Sequence, residues 1–290
     1  MPPPPLVTAS VTASGVATIT LNSPSTLNAL TEAMGDALSA VVDSLCARPS
    51  GEVRVVVLTG AGHSFSAGGE LSFLEDRAFR STPPENSAVM RDFYARFLSS
   101  ILRLEVPTIA AVRGNAFGAG FALACATDIR VISETARCSL NFTQLGLHPG
   151  MGSTFLLPRI VGREACNYLL MTGRRVDGKE AKELGLCLRA VPDGEVLAVA
   201  RGIAADIAAA GPLSVRQVKA SLTHQLDDGL ERHLQREADA QAVGFGGDDF
   251  QGRLRALLER TRVRREAKDK AKREAGGGGK GGGGSPAAKL

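Results

Sequence analysis

Two hydrophobic periodicities alternate along the first two thirds of the chain. Val7–Asn22 alternates around a glycine and predicts a β-hairpin or a meander, whereas Val53–Thr59 and Val106–Val112 are apolar runs that predict buried, parallel strands. Leu27–Leu45 and Ser87–Leu104 carry apolar residues at helical spacing instead. Because strands and helices alternate, the pattern favours an α/β fold.

The remaining pattern predicts a core over residues 1–210 and a helical region over residues 211–275. Beyond Asp228 only helices are predicted, and Gly244–Gly247 separates the last two. These late helices either pack on a neighbouring subunit or fold back on their own domain. The further predicted strands are Ile129–Ser133 and Cys138–Phe142, and the further predicted helices are Phe117–Ala126, Leu156–Leu170, Gly178–Leu184, Glu195–Ala210, Leu213–Leu226, Gly229–Val243 and Gln251–Lys272.

Composition excludes several classes of protein. A chain of 290 residues with 44% hydrophobic residues is long enough for one large or two smaller domains. The net charge is +4, and much of the basic excess lies in Arg260–Ala275, which is typical of a solvated helix end. We therefore expect no nucleic-acid partner. No run approaches the ~18 apolar residues of a membrane span, and the N-terminus has no secretory or mitochondrial signal pattern.

The five cysteines are scattered, without a CxxC pair or a histidine at ligand spacing, which predicts reduced thiols and no metal site.

The C-terminal stretch resembles a targeting signal. Gly276–Ser285 is predicted to be a flexible linker, and it presents Ala288-Lys289-Leu290, which resembles a peroxisomal targeting tripeptide. We therefore expect recognition by a peroxisomal import receptor and location in a peroxisome or glycosome-like organelle, otherwise in the cytoplasm.

Two turns of small residues follow two of the predicted strands. The first closes Val53–Gly69, which reads VRVVVLTGAGHSFSAGG, and the second closes Val106–Gly120, which reads VPTIAAVRGNAFGAG. Small residues allow backbone N–H groups to approach a ligand closely. Two such turns that face each other would hold one oxygen atom between backbone donors, as in an oxyanion hole.

Four segments in register resemble the crotonase family, also called enoyl-CoA hydratase/isomerase. They are LTGAGHSFSAGGEL (Leu58–Leu71), PTIAAVRGNAFGAGFALACATDIRV (Pro107–Val131), LGLHPGMGSTFLLPRIVG (Leu145–Gly162) and LLMTGRRVDGKEAKELGL (Leu169–Leu186). The resemblance implies a spiral of ββα repeats with a C-terminal helical trimerisation region. It also implies a homotrimer or a dimer of trimers that binds acyl-CoA thioesters, needs no other cofactor and stabilises a thioester enolate.

The resemblance assigns the oxyanion-hole amides to Gly69 and Ala119, the latter at the start of a predicted helix whose dipole adds positive potential. The loop Ala61–Ser66 is expected to meet the adenine of CoA through backbone groups, and the main chain of the turn Ala67–Gly69 is expected to meet the pantetheine arm. Phe142 is expected either to wall the acyl pocket or to block it.

Both glutamates that hydratases of this family use are absent here. Their positions correspond to Ala122 and Phe142, and no Asp or Glu occurs from Val106 to Thr127 or from Thr135 to Arg163. Efficient two-glutamate hydration is therefore not expected, although the resemblance still implies an enzyme of the lyase or isomerase type. The alternatives are a non-catalytic acyl-CoA-binding or scaffold subunit, and a hydrolase-like enzyme that uses His148 as a base.

Overall fold

The computed structural model describes residues 3–276, without the side chains of residues 224–228 and 272–276. The strands are β1 (Val7–Val11), β2 (Val16–Leu21), β3 (Val55–Gly60), β4 (Thr108–Val112), β5 (Asn115–Phe117), β6 (Ile129–Ser133), β7 (Arg137–Ser139) and β8 (Arg189–Val191). The helices are α1 (Glu32–Cys46), α2 (Leu71–Phe79), α3 (Pro83–Tyr94), α4 (Ser100–Leu102), α5 (Ala119–Cys125), α6 (Ser153–Thr172), α7 (Gly178–Glu183), α8 (Val196–Ala209), α9 (Pro212–Phe245) and α10 (Asp248–Gly276).

Six strands form one sheet in the order β1-β2-β3-β4-β6-β8. The predicted hairpin is confirmed, since β1 pairs antiparallel with β2, and every later pair in this sheet is parallel. All six residues of β3 are buried, as its unbroken apolar run predicts. Helix α8 covers one face of the sheet with a row of small residues, and the larger core lies on the other face.

A second, two-stranded sheet was not predicted. Asn115–Phe117 reads as part of a turn, yet it forms β5 and pairs in parallel with β7, with Ala116 opposite Cys138. The strand predicted over Cys138–Phe142 is therefore wrong in its bounds, because β7 ends at Ser139 and a short 3-10 helix follows at Thr143–Leu145. The bounds of β5 and β7 depend on their pairing with each other, and the hydrophobic spacing within either segment does not predict that pairing.

Local capping moves the start of helix α1. The spacing predicts a helix from Leu27, but Leu27 and Asn28 adopt positive φ angles of 56° and 55°. The helix begins only after Thr31, whose side-chain oxygen accepts a hydrogen bond from the backbone N–H of Met34 at 3.1 Å. Leu27 is consequently 44% exposed and does not belong to the buried face of the helix.

Helix α2 was also not predicted. Its sequence is only weakly amphipathic, and Ala78 is its only fully buried residue among those described. The next helix, predicted over Ser87–Leu104, begins earlier, at Pro83, where Thr82 and Glu85 form a capping box. Residues Ala95–Ser99 form a π-helical segment before the short helix α4.

The C-terminal helices fold back on their own domain over part of their length. Helix α9 is assigned as one element over Pro212–Phe245, where two helices were predicted, although Gly229 inside it has a φ of 109°. The predicted break near Gly244–Gly247 is confirmed. The later part of α9 buries Leu234 and Phe245, and α10 buries Phe250. The predicted tail lies outside the described residues from 277 onward, and its targeting role stays a prediction.

Candidate functional site

A cavity of about 1140 Å³ lies where the two predicted turns meet. The turn after β3 and the turn after β5 form its floor, and residues from α2, α3, α9 and α10 contribute the other walls. The small residues of the two turns that line it are Ala67, Gly68, Gly69, Gly118 and Ala119. Turns that lie 50 residues apart in sequence are therefore brought to one wall of one pocket.

Backbone hydrogen bonds fix the first turn. The N–H of Ala67 donates to the carbonyl of Leu27 at 2.9 Å, and the carbonyl of Gly68 accepts from the N–H of Leu30 at 2.7 Å. Gly68 has a φ of 87°, a left-handed conformation that glycine adopts without strain. Within the described part of the chain, the next amide, that of Gly69, donates to no acceptor.

The second turn carries a matching amide. Gly118, with a φ of 50°, donates its N–H to the carbonyl of Ser139 at 2.8 Å and so ties the turn to β7. Ala119 is the first residue of α5, and its amide likewise has no acceptor among residues 3–276. A β-carbon placed on Gly68 would lie 2.5 Å from the carbonyl oxygen of Phe117 and 3.6 Å from the amide nitrogen of Ala119. The two turns are therefore in direct contact.

Two of the predicted substrate contacts lie elsewhere. Ala67, Gly68 and Phe142 line the cavity, but Ala61 and Ser66 do not. Ser66 is buried beneath the turn, where its hydroxyl donates to the carbonyl of Asn28 at 2.7 Å and accepts from the N–H of Gly68 at 3.2 Å. The carbonyl of Ala61 accepts from the Asn28 side chain at 2.9 Å. These residues support the turn, and their contact with a substrate stays a prediction.

The two positions without carboxylates lie next to the turn of Gly118. Ala122 is buried and follows Ala119 by three residues, on the same side of α5. Phe142 lines the cavity, and its ring lies 4.0 Å from the position of a β-carbon on Gly118. The acidic side chains among the described lining residues are Glu70, Glu75, Glu266 and Asp269. Glu70 accepts a hydrogen bond from Ser72 at 2.9 Å.

His148 is not among the residues that line the cavity. Its Nδ1 lies 2.6 Å from the carbonyl oxygen of Pro149, so one ring nitrogen is engaged by backbone. Burial lowers the pKa of this imidazole below its ordinary value of 6.5, and the hydrogen bond to Pro149 only partly opposes that shift. The structure therefore places the predicted base in the pocket loop, residues 146–152 between the 3-10 helix and α6, where the backbone of the loop itself holds its ring.

A buried polar network that was not predicted holds this loop. The hydroxyl of Tyr94 donates to Oε1 of Gln241 at 2.9 Å, and Nε2 of Gln241 donates to the carbonyl of His148 at 2.8 Å. Glu237, which is fully buried, accepts from the amides of Gly152 at 2.7 Å and Thr154 at 2.8 Å. Burial raises the pKa of both Tyr94 and Glu237. No local pattern predicts these contacts, since Glu237 and Gln241 lie more than 80 residues beyond their partners in the loop and at the start of α6.

Among the described residues, no group of three or more His, Cys, Asp or Glu side chains is placed to hold a metal ion. No single helix there combines the length and apolar character of a membrane span, and one pair of helices, Asp193–Ala209 with Pro212–Thr223, bent by 111°, meets that test only when taken together.

The chain belongs to the enoyl-CoA hydratase/isomerase family, whose model matches residues 11–267. A Thermus thermophilus protein that carries the name of an enoyl-CoA hydratase is 37% identical over 249 residues, which cover 84% of this chain and 95% of that protein. A Bacillus subtilis protein, YngF, which carries the name of an enoyl-CoA hydratase/isomerase, is 35% identical. The matched region covers 86% of this chain and 93% of that protein.

A solved structure of an enoyl-CoA hydratase/isomerase from Pseudoalteromonas atlantica superposes with a TM-score of 0.76 at 29% identity. The match covers 88% of this chain and 97% of that one. The crotonase fold expected from the four sequence segments is therefore confirmed, with a mixed sheet and a C-terminal helical region.

Proposed function

We propose that this protein binds acyl-CoA thioesters in the cavity and stabilises the anionic oxygen of a thioester enolate with the amides of Gly69 and Ala119. The observation that carries the proposal is the pair of amides on one cavity wall, each without an acceptor in the described chain. Donors that are fixed before reaction stabilise developing charge without having to reorganise, and losing one typically costs ~3 kcal/mol.

Cations on α10 suit the phosphates of CoA. Arg260 and Arg265 line the cavity, are exposed, and have no carboxylate partner among the described residues. Nearby Arg262, by contrast, pairs with Glu259 at 2.8 Å. Guanidinium groups bind phosphate oxygens through paired hydrogen bonds, so these two arginines are the proposed phosphate contacts.

The proposed chemistry does not include hydration by two carboxylates. Ala122 and Phe142 cannot transfer protons, and each missing general acid or base is worth about 10²–10⁴-fold in rate. Stabilisation of an enolate by backbone amides remains available without them. The same observation favours a second candidate function, a non-catalytic acyl-CoA-binding subunit. Nothing in the placement of His148 favours hydrolysis through that residue.

We also propose assembly as a homotrimer or a dimer of trimers. The early part of α9 supports this, because Val218 and Leu222, four residues apart on one face, are 60% and 62% exposed on a helix whose later part buries Leu234 and Phe245. Contiguous exposed apolar surface of this kind marks contact with another chain. Sedimentation equilibrium would measure the mass of the assembly, and a monomer at micromolar concentration would contradict this assignment.

Removal of one amide tests the proposed oxyanion hole. Ala119 is the first residue of α5, where proline is tolerated, so Ala119→Pro deletes the N–H without deleting an internal hydrogen bond. Calorimetry would compare acetoacetyl-CoA, which forms an enolate readily, with butyryl-CoA. We expect Ala119→Pro to weaken acetoacetyl-CoA binding by roughly tenfold or more, since the lost hydrogen bond is to a charged oxygen.

The matched control is Ala119→Gly, which keeps the amide and removes only the β-carbon. It is expected to bind acetoacetyl-CoA as the unmodified protein does. A folded Ala119→Pro variant with unchanged affinity would show that this amide does not contact the thioester oxygen. Turnover of a short enoyl-CoA, followed by loss of its conjugated absorbance, separates the catalytic candidate from the binding subunit.

A further inference from the structure

Two polar side chains on the cavity wall have no partner among residues 3–276. Asn141 is half-buried, Arg175 is exposed, and neither takes part in a hydrogen bond or an ion pair there. The adjacent Arg174 differs, because Glu180 binds its guanidinium in an ion pair. A cation and an amide that line a cavity without an internal partner are available to a ligand.

Both side chains contact the turn that carries the Ala119 amide. The guanidinium of Arg175 lies over the ring of Phe117, 5.2 Å from its centroid. The Oδ1 atom of Asn141 lies 3.5 Å from the position of a β-carbon on Gly118. The segment between α6 and α7 that carries Arg175 also passes close to Asn141, since a β-carbon on Gly173 would lie 3.2 Å from the Cα of Asn141.

The packing of Arg175 and the donor groups of Arg175 and Asn141 suit these two side chains to binding a planar anion. Stacking on Phe117 restricts the long Arg175 side chain, so less conformational entropy is lost when it binds. A guanidinium presents a fork of N–H donors that matches a carboxylate, and the amide of Asn141 supplies a further N–H donor. Glu70, which follows the first glycine turn and also lines the cavity, accepts a hydrogen bond from Ser72 at 2.9 Å.

We propose that Asn141 and Arg175 recognise a second carboxylate on the acyl group, so that the cavity prefers carboxyacyl-CoA thioesters to monocarboxylic ones. This substrate class rests on the proposed function, because it places the thioester at the neighbouring Gly69 and Ala119 amides. The phosphates of CoA are a less suitable ligand for the pair, since the long pantetheine arm separates them from the thioester carbonyl. Other arginines, on α10, line the cavity for those phosphates.

The test compares thioesters of equal length that differ in charge. Calorimetry would measure the dissociation constants of glutaryl-CoA and pentanoyl-CoA for the full chain, for Arg175→Met and for Asn141→Asp. We expect the unmodified protein to prefer glutaryl-CoA by about tenfold or more, as hydrogen bonds to a charged group imply. Arg175→Met is expected to remove that preference and leave pentanoyl-CoA binding unchanged, and Asn141→Asp is expected to reverse it by like-charge repulsion.

Arg189→Met is the matched control, because Arg189 is also exposed and without a described partner but does not line the cavity. It should retain the full preference. Equal affinity of the unmodified protein for both thioesters would overturn the substrate class while leaving the proposed function intact. An equal loss for both thioesters in Arg175→Met would assign this arginine to CoA and overturn the proposal. Binding of neither thioester would refute the proposed function together with it.

Discussion

The amide nitrogen of Ala119 lies 3.6 Å from the point that a β-carbon on Gly68 would occupy. Residues from two separate strand–turn units are thus in contact, with only a glycine's hydrogen atoms between them. The carbonyl of Phe117 is closer still, at 2.5 Å from the same point. The width of the gap between the turns therefore depends on the absence of a side chain at position 68.

Gly68→Ala should separate the turns. An alanine at a φ of 87° is strained by about 1–2 kcal/mol, and its β-carbon would also clash with the Phe117 carbonyl. We expect the free energy of unfolding, measured in urea, to fall by at least that amount, and acyl-CoA affinity to fall with it. The control is Gly69→Ala, whose β-carbon would find its nearest atom, Cδ2 of Leu74, at 3.9 Å. Similar losses in both variants would contradict this account.

Restoring carboxylates tests the assigned positions. Ala122 is buried and is not a lining residue, but it lies on the same side of α5 as Ala119, and Phe142 lines the cavity. If the proposed function holds, Ala122→Glu with Phe142→Glu supplies an acid at each family position, and we expect the double variant to gain hydration of a short enoyl-CoA, because each acid or base contributes roughly 10²–10⁴-fold. The equally sized pair Ala122→Gln with Phe142→Gln should show no such gain. A folded double glutamate variant without turnover would show that these positions do not face the substrate.

Glu237→Gln should destabilise the pocket loop. The carboxylate accepts from the amides of Gly152 and Thr154, and an amide side chain cannot accept at both of its atoms. A buried donor left without an acceptor costs about 1–3 kcal/mol, which we expect to appear in the free energy of unfolding. Glu231→Gln is the control, since Glu231 is exposed on the same helix and no partner is described for it. Equal stability of the two variants would show that Glu237 does not hold the loop.

The stability of the protein should depend on pH through His148. Burial lowers the pKa of this group below 6.5, so near that pH the unfolded chain binds a proton that the folded chain does not. The stability contributed is present above pH 6.5 and is lost as the pH falls toward the folded-state pKa. His148→Gln removes this titration, so its free energy of unfolding should vary less with pH over that range. An unchanged pH dependence in His148→Gln would show that burial of the imidazole is not the cause.

Sequence patterns located the elements that depend on neighbouring residues alone. The run VVVLTG in β3 is apolar at nearly every position because both faces of a central parallel strand are buried, so the strand can be identified without its partners. The start of α1 was misplaced, because the left-handed turn at Leu27–Asn28 continues the apolar spacing of the helix. Helix α2 was missed since it buries little surface, and β5 was missed because its partner, β7, lies about 20 residues further on.

The sequence by itself determined the family, the two turns of small residues and the absence of Asp and Glu from Val106 to Thr127 and from Thr135 to Arg163, because residue identity and order fix each of these. Only the tertiary structure decided which side chains share the cavity. In that structure Ser66 lies beneath the turn and His148 does not line the cavity. Tyr94, Glu237 and Gln241 form the polar network that holds the pocket loop. These contacts join residues far apart in the chain, and folding selects them through burial and hydrogen bonding that no local pattern encodes.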